Sequence, residues 1–468
     1  MSIFKDHFPR MGASGQSTGY NIDQSIRFNS DNSAYMQKTY SGNGSRTTWS
    51  FSFWTKLGKS PPYNTTRGNF LIAYNTTSGA QEDIRIEGSN QQLQWFTHDD
   101  AASGILADLK TTQYLRDHSA WYHILCVADR TNAVSNQRQR IYINGERVTA
   151  FATQTYPSQN GEGHVGKSAD VHYIGSRGGN SNTRLDGYMA EIHYIDGYAY
   201  GPEFFGEFKE DTDIWIPKEY TGSYGTNGFK IDGRDSSDFG DDESGNGNDY
   251  STSGLVATDQ RTDSPTNNHA TWNVLVNATP AFANGNIEVS FDPASSTKWA
   301  KTVMNFTLPN TGTWYWEGQE FNNVINPATA VGIVDSDVER LDDKAVGNRF
   351  TSPMGTFTGL TVYSGPGQSI ATYTYKNGVE TSTSATAILS TSRLGFLWEP
   401  ENNRFTIYDD GSQHTQFTSI NAGNYVFGVN QATGTTLYFR LFVEANDWTQ
   451  TPTGITSANA LNTANIGS

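Results

Sequence analysis

From Ile22 onward, apolar and polar residues alternate in runs too short for helices. SIRFN, AYMQKTY, TWSFSFWTKL, FLIAY, DIRIEG, QLQWFTH, WYHILCVADR, QRIYINGERV, VHYIGS and YMAEIHYIDG carry a period of two, with Gly, Asn, Asp and Ser between them. This pattern predicts antiparallel strands, and so many in series predict a sandwich. In TWSFSFWTKL, Trp49, Phe51 and Phe53 share one face while Ser50, Ser52 and Trp54 share the other. Large rings on both faces predict a central strand. Asn144-Gly145 in IYINGERV predicts a tight hairpin. One helical turn is predicted after the last run, where Pro202 suits a first helical position and Glu203 the positive end of the turn.

A second series starts near residue 269: NIEVSF, TVMNFTLP, GTWYWEGQEF, TAVGIVD, GLTVYSG, ATYTYKNGVE, SRLGFLWEP, NRFTIYDDGS, NYVFGVN and TLYFRLFVEA. Its alternation and its turns, KNG and DDG, predict another sandwich. Between the two series lies a stretch dense in Gly, Asp, Asn and Ser, yet Tyr220, Tyr224, Phe229, Phe239 and Tyr250 recur through it. Solvated linkers do not keep their rings, so an ordered connector is expected. The predicted organisation is an arm over residues 1–21, a sandwich over 22–218, the acidic connector 219–268, a sandwich over 269–450 and a polar tail over 451–468. The fold class is all-β, and the arm, with Ile3, Phe4 and Phe8 among Gly and Ser, is expected to need a partner surface to become ordered.

Composition narrows the partners. The chain of 468 residues has 32 Lys+Arg against 48 Asp+Glu, a formal net charge of -16, which argues against nucleic acid and anionic membranes. No apolar run approaches the roughly 20 residues of a membrane span, and the N-terminal residues lack the apolar stretch of a secretion signal. Folding in a cytoplasm is therefore expected. Cys126, the single cysteine, sits in the apolar run WYHILCV and reads as a small buried hydrophobe.

SFSFWTKL, WYHILCVADR, QRIYINGERV, VHYIGS and LDGYMAEIHYIDGYAY resemble the successive strands of a laminin G or concanavalin A-like domain, over about residues 22–200. GTWYWEGQEF, TAVGIVDSD, SRLGFLWEPENNRFTIYDDGS and TLYFRLF resemble a SPRY-type sandwich, over about 285–445. The segment between them, from EYTGSYG to DSPTNN, looks like a connector of large virion proteins of marine bacteriophages, with a laminin G-like domain before it and a SPRY-like domain after it. The resemblance implies a phage structural protein of the tail-fibre or receptor-binding type, folded in the host cytoplasm and carried on the virion. It also implies attachment to other virion proteins through the arm, homo-oligomers and a host-surface glycan as ligand. A capsid or tail decoration protein is the alternative, since the chain has no heptads or short repeat from which a fibre shaft is built.

Candidate chemistry is sparse. In LDGYMAEIHYIDG, Glu191, His193 and Asp196 stand at i, i+2 and i+5, close to the spacing by which jelly-roll glycoside hydrolases place two carboxylates about 5 to 5.5 Å apart. Here the central group is His193, and without a bulge Glu191 and Asp196 point to opposite faces. A polysaccharide-degrading enzyme is thus the least favoured reading, and no catalytic residue is assigned. For glycan binding the candidates are Trp95, to stack on a sugar, with His98, Asp99 and Asp100 at the strand end. The connector's Asp232, Asp235, Asp238 and Asp241 are the candidate Ca²⁺ ligands, although their spacing is not that of an EF-hand and Asx-turns explain them as well. No other cofactor is expected. Trp314, Tyr315 and Trp316 could form a sugar platform, but alternating rings in such a strand belong to a core.

Overall fold

The alternation at Trp49, Phe51 and Phe53 sets the middle of the first sandwich. In the computed structural model, Thr48–Leu57 is hydrogen-bonded to Tyr122–Asp129 on one side and to Gly187–Asp196 on the other. Trp49, Phe51 and Phe53 point into the core, while Trp54 joins a smaller cluster on the opposite face with Trp121 and Tyr188. The structure describes residues 19–58, 67–88, 91–99, 104–210, 212–274, 280–291, 300–320, 329–335, 358–363, 371–376, 379–384, 392–431, 437–453, 455, 457–462 and 465. The predicted arm therefore lies almost wholly outside them. All described sheet pairings are antiparallel and the protein is all-β. Among the described residues, no helix is long and apolar enough to cross a membrane.

The chain divides into two units, Gly15–Asn268 and one that holds His269–Ser468. In the first, one eight-stranded sheet contains the central strand just described. The other runs in the order Phe151–Thr155, Ile105–Tyr114, Gln92–His98, Gln81–Glu87, Arg67–Tyr74, Val171–Ile174, Tyr35–Lys38 and Ser251–Ser253. Each sheet sends alternate side chains into a shared core, where the Trp49 and Trp95 ring centroids lie 5.0 Å apart. Each such ring contributes about 1.5–3 kcal/mol by leaving water. Cys126 is fully buried there, and burial pushes its thiol pKa up. The hairpin at Asn144-Gly145 forms as read, with φ values of 49° and 79°. The helical turn is a short 3-10 segment, Pro202–Phe204, with Pro202 first.

The acidic stretch is part of this unit. Phe229–Ile231 pairs with Gly187–Asp196, Ser251–Ser253 with Tyr35–Lys38, and Gln260–Arg261 with Ser25–Phe28. Phe229, Ile231, Phe239 and Tyr250 are buried in the same core as Trp49. The sandwich thus runs past the expected edge at residue 218.

In the second unit, Trp314–Glu320 lies between Leu437–Phe442 and Arg393–Glu399 in a seven-stranded sheet, opposite a six-stranded one. Trp314, Tyr315 and Trp316 are buried, so these rings are core and not a sugar platform. The polar tail docks on its own unit: the Ala270 amide donates to the Leu461 carbonyl, the Tyr315 amide to that of Asn459, and the Leu461 side chain is fully buried.

Candidate functional site

Strands of the second sheet alternate between the core and the opposite, outer face. Phe70, Ile84, Ile86, Leu93, Trp95 and Leu109 point inward. Their neighbours in sequence are therefore on the outer face, and cross-strand register arranges them in rows: Arg67 beside Glu87, then Asn69, Arg85, Gln94 and Lys110, then Asp83, Phe96 and Asp108. Few of these positions are apolar, which is unusual for the middle of an eight-stranded sheet.

The rows are tied into one network. Arg85 Nη1 donates to both oxygens of Asp83 at 3.2 and 2.9 Å, Nε to Glu87 Oε1 at 2.7 Å, and Nη2 to Gln94 Oε1 at 2.8 Å. Gln94 Nε2 passes the chain on to Asp108 Oδ1 at 2.6 Å. The Arg85 guanidinium also lies over the Phe96 ring, 4.9 Å from its centroid. Burial works against the charge on Arg85, but Asp83 and Glu87 outweigh it and raise its pKa. The same burial pushes the Asp83 carboxyl up, opposed by Arg85 and Arg67. Asp83, Arg85, Gln94 and Asp108 form an enclosed floor, while Arg67, Glu87, Phe96 and Lys110 above them are half-buried. Side chains fixed by one another in this way cost little further entropy when a polar ligand docks.

Arg67 stands apart. Burial pulls its guanidinium below the ordinary range, against the pull of Asp83, and its enclosed Nε has no hydrogen-bond partner among the described residues. Asn69, two residues along the same strand, donates from Nδ2 to Asp83 at 3.4 Å, but its enclosed Oδ1 accepts nothing.

The residues expected to bind glycan are only partly here. Trp95 is corrected to a core residue: it is fully buried, and its indole N–H donates to Glu82 Oε1 at 3.0 Å. Its parity with Leu93 decides this, and the ring on the outer face is Phe96. His98 does lie on that face, 5.7 Å from the Phe96 ring centroid. Asp99 is exposed, with Oδ1 3.9 Å from His164 Nε2. Asp100 lies outside the described residues. None of the other members of the network was singled out from sequence, although the charge alternation in QEDIRIE was the available signal.

Three of the four connector aspartates cap turns. Asp232 accepts from the Arg234 amide and guanidinium, with Lys230 Nζ 3.5 Å away. Asp235 accepts from the Ser237 amide and hydroxyl, and Asp238 from the Gly240 amide. Asp241 is exposed. Among the described residues, no three His, Cys, Asp or Glu side chains gather to hold a metal ion. The oxygens of Asp232, Asp235 and Asp238 are spent on local donors, in the manner of the Asx-turns that the sequence also allows.

The Glu191 motif does contain a bulge. Register slips between Ala190 and His193, and Glu191 takes a positive φ of 47°. Its carboxylate then reaches His193 Nε2 at 3.1 Å and Lys230 Nζ at 3.5 Å. Burial alone would raise its pKa, but His193 and Lys230 hold it at about 2. Asp196 accepts from the amides of Ser45 and Asn227 at 2.6 and 3.0 Å. Resumed alternation puts Ile192 and Tyr194 in the core and His193 on the opposite face with Glu191, so Asp196 lies on the core side. The two carboxylates do not face one another. Tyr200, Phe205, Tyr220 and Tyr224 close over the His193 face, where Phe205 and Tyr220 stack at 5.2 Å.

Residues 29–198 match the family model described as Laminin_G_3, of the concanavalin A-like lectin/glucanases superfamily. No curated protein matches the chain. Among solved structures, the chain is similar to a TRIM65 PSpry domain, with 14% identity, coverage of 38% of this chain and 93% of that one, and a TM-score of 0.28. A heptameric SAP-like pentraxin from Limulus polyphemus matches with 14% identity, coverage of 39% and 80%, and a TM-score of 0.28. A putative carbohydrate binding protein from Bacteroides ovatus matches with 14% identity, coverage of 50% and 58%, and a TM-score of 0.31.

Proposed function

We propose that the chain is a glycan-binding, non-enzymatic adhesion protein of a virion surface, which contacts sugar with the outer face of its second sheet. The observation that carries this reading is the Arg85–Gln94–Asp108 ladder with Phe96 set in it. Fixed planar donors and acceptors suit sugar hydroxyls, and a half-buried ring suits the apolar face of a pyranose. The superfamily match over residues 29–198 supports a lectin-like role for this unit. Binding without cleavage is favoured because Glu191 and Asp196 face opposite ways and Asp196 is spent on backbone amides.

On an array of bacterial surface glycans, the full chain is expected to bind, and Phe96→Ala to weaken that binding at least tenfold, equivalent to about 1.4 kcal/mol. The melting temperature should stay near that of the parent, because Phe96 is only half-buried. A silent array, or an F96A chain that binds like the parent, would sink the proposal.

Display on a bacteriophage is proposed from the likeness of residues 219–268 to a segment of phage virion proteins. Gold-labelled antibody on intact particles tests it. Label at the tail tip or fibres is the result expected of a receptor-binding protein. Label spread over the capsid would favour the decoration reading, for which the absence of heptads and short repeats in the sequence speaks. Particles without label would end both.

A further inference from the structure

We infer that the glycan is acidic, a uronate-type sugar whose carboxylate is received by Arg67. This rests on the reading that the outer face of the second sheet binds glycan.

The argument is one of unmet partners. Glu87 is the direct cross-strand neighbour of Arg67, yet its Oε1 is taken by Arg85 Nε at 2.7 Å. Both Asp83 oxygens are also taken by Arg85, and one of them by Asn69 as well. These two neighbouring carboxylates are therefore bonded to Arg85, and the enclosed Nε of Arg67 has no hydrogen bond among the described residues. An enclosed guanidinium nitrogen without an acceptor is costly, and a planar carboxylate is the group that the donor fork of Arg67 matches.

The second observation is Asn69. This side chain is fully buried, and its Oδ1 is an acceptor without a donor, two residues from Arg67 on the same face. A uronate offers both complements at once, a carboxylate for Arg67 and a hydroxyl hydrogen for Asn69. The local charge permits an anion. Arg67, Arg85 and Lys110 offset Asp83, Glu87 and Asp108 on this face, whereas the whole chain carries a formal net charge of -16.

The test uses the full chain with three probes in isothermal titration: an oligogalacturonate, its carboxyl-reduced neutral counterpart, and a sulfated neutral oligosaccharide of equal length. The oligogalacturonate is expected to bind at least about tenfold more tightly than either of the others, and Arg67→Gln to remove most of that preference while leaving the neutral probe unchanged. The R67Q melting temperature should fall by no more than about 4 °C, since no hydrogen bond from Nε is lost and only the attraction to Asp83 and Glu87 goes. A larger fall would mark Arg67 as a structural residue and overturn the inference. Equal binding of acidic and neutral probes, or a preference for sulfate, would also overturn it and leave glycan binding intact. No binding by any probe, together with a silent glycan array, would remove both.

Discussion

Glu82→Ala is expected to cost the first unit about 3–5 kcal/mol, the penalty for leaving a buried charge without its partner. Glu82 is on the core side of Gln81–Glu87 and is fully buried. Its two oxygens accept four donors: the Arg130 guanidinium, the Trp95 indole N–H at 3.0 Å, and the amides of His164 and Val165 at 2.8 and 3.2 Å. Alanine would strand all four in a fully buried part of the core. Arg130 is nearly as buried as Glu82, so its cation cannot turn out to solvent without opening the sandwich. Gly163 shows how closely the segment before His164 is drawn in, since a Cβ there would come within 2.1 Å of Glu82 Oε2. Domains of ordinary stability hold only about 5–15 kcal/mol, so the variant should sit near its unfolding midpoint under mild conditions. Glu82→Gln keeps the volume and one acceptor but not the charge, and should recover less than half of the loss. Chemical denaturation, with hydrogen exchange at His164 and Val165 to assign the transition to this unit, measures both. A loss below about 1 kcal/mol for E82A would show that the four donors find other partners.

How much of this was legible in the sequence depends on the range of each signal. The parity of Trp49, Phe51 and Phe53 and the Asn144-Gly145 turn are local, and the strand and hairpin formed as read. The network around Arg85 was half legible. DIRIE shows an outward Asp83, Arg85 and Glu87, but only cross-strand register brings Gln94 and Asp108 beside them. Trp95 was offered to a sugar because of its size, whereas its parity with Leu93 sends it inward. The bulge at Glu191 was not legible, because an αL glutamate leaves no mark in a run of alternating residues. Glu82 was invisible for a related reason: its partners come from residues 95, 130, 164 and 165, and no local pattern announces that a carboxylate will be buried among them. The acidic stretch misled in another way. Its strands are only two or three residues long, too short to display a period, although the capping expected of its aspartates is seen at Asp242, which accepts from the amides of Lys230, Ser244 and Asn248.

A chain ending at Lys218 is therefore expected not to fold, whereas one ending at Asn268 should. The shorter chain would lose Phe229, Ile231, Phe239 and Tyr250 from the core that surrounds Trp49. At about 1.5–3 kcal/mol for each buried side chain, that alone approaches or exceeds the stability of a typical domain. Charge adds to the loss. Lys56 is buried and gives its ammonium to Asp263 and Asn268, each at 2.7 Å, and the Trp121 indole N–H donates to the other oxygen of Asp263 at 2.9 Å. Arg27 pairs with Asp259 at 2.9 Å. Truncation removes these carboxylates and leaves their cations inside. The chain of residues 15–268 should unfold in one cooperative transition, while that of residues 15–218 should bind a hydrophobic dye and show no transition. Asp263→Asn separates the charge effect from the lost surface: it keeps the fold but should lower stability by several kcal/mol, since Lys56 keeps its charge against a neutral amide. If the shorter chain melted cooperatively near the temperature of the longer one, the acidic stretch would be an appendage of the sandwich. If it does not, the two strands that flank residues 25–28 and 35–38 are what close the sheets, and the segment that reads as an ordered connector in sequence is the last layer of the fold that carries the Arg85 face.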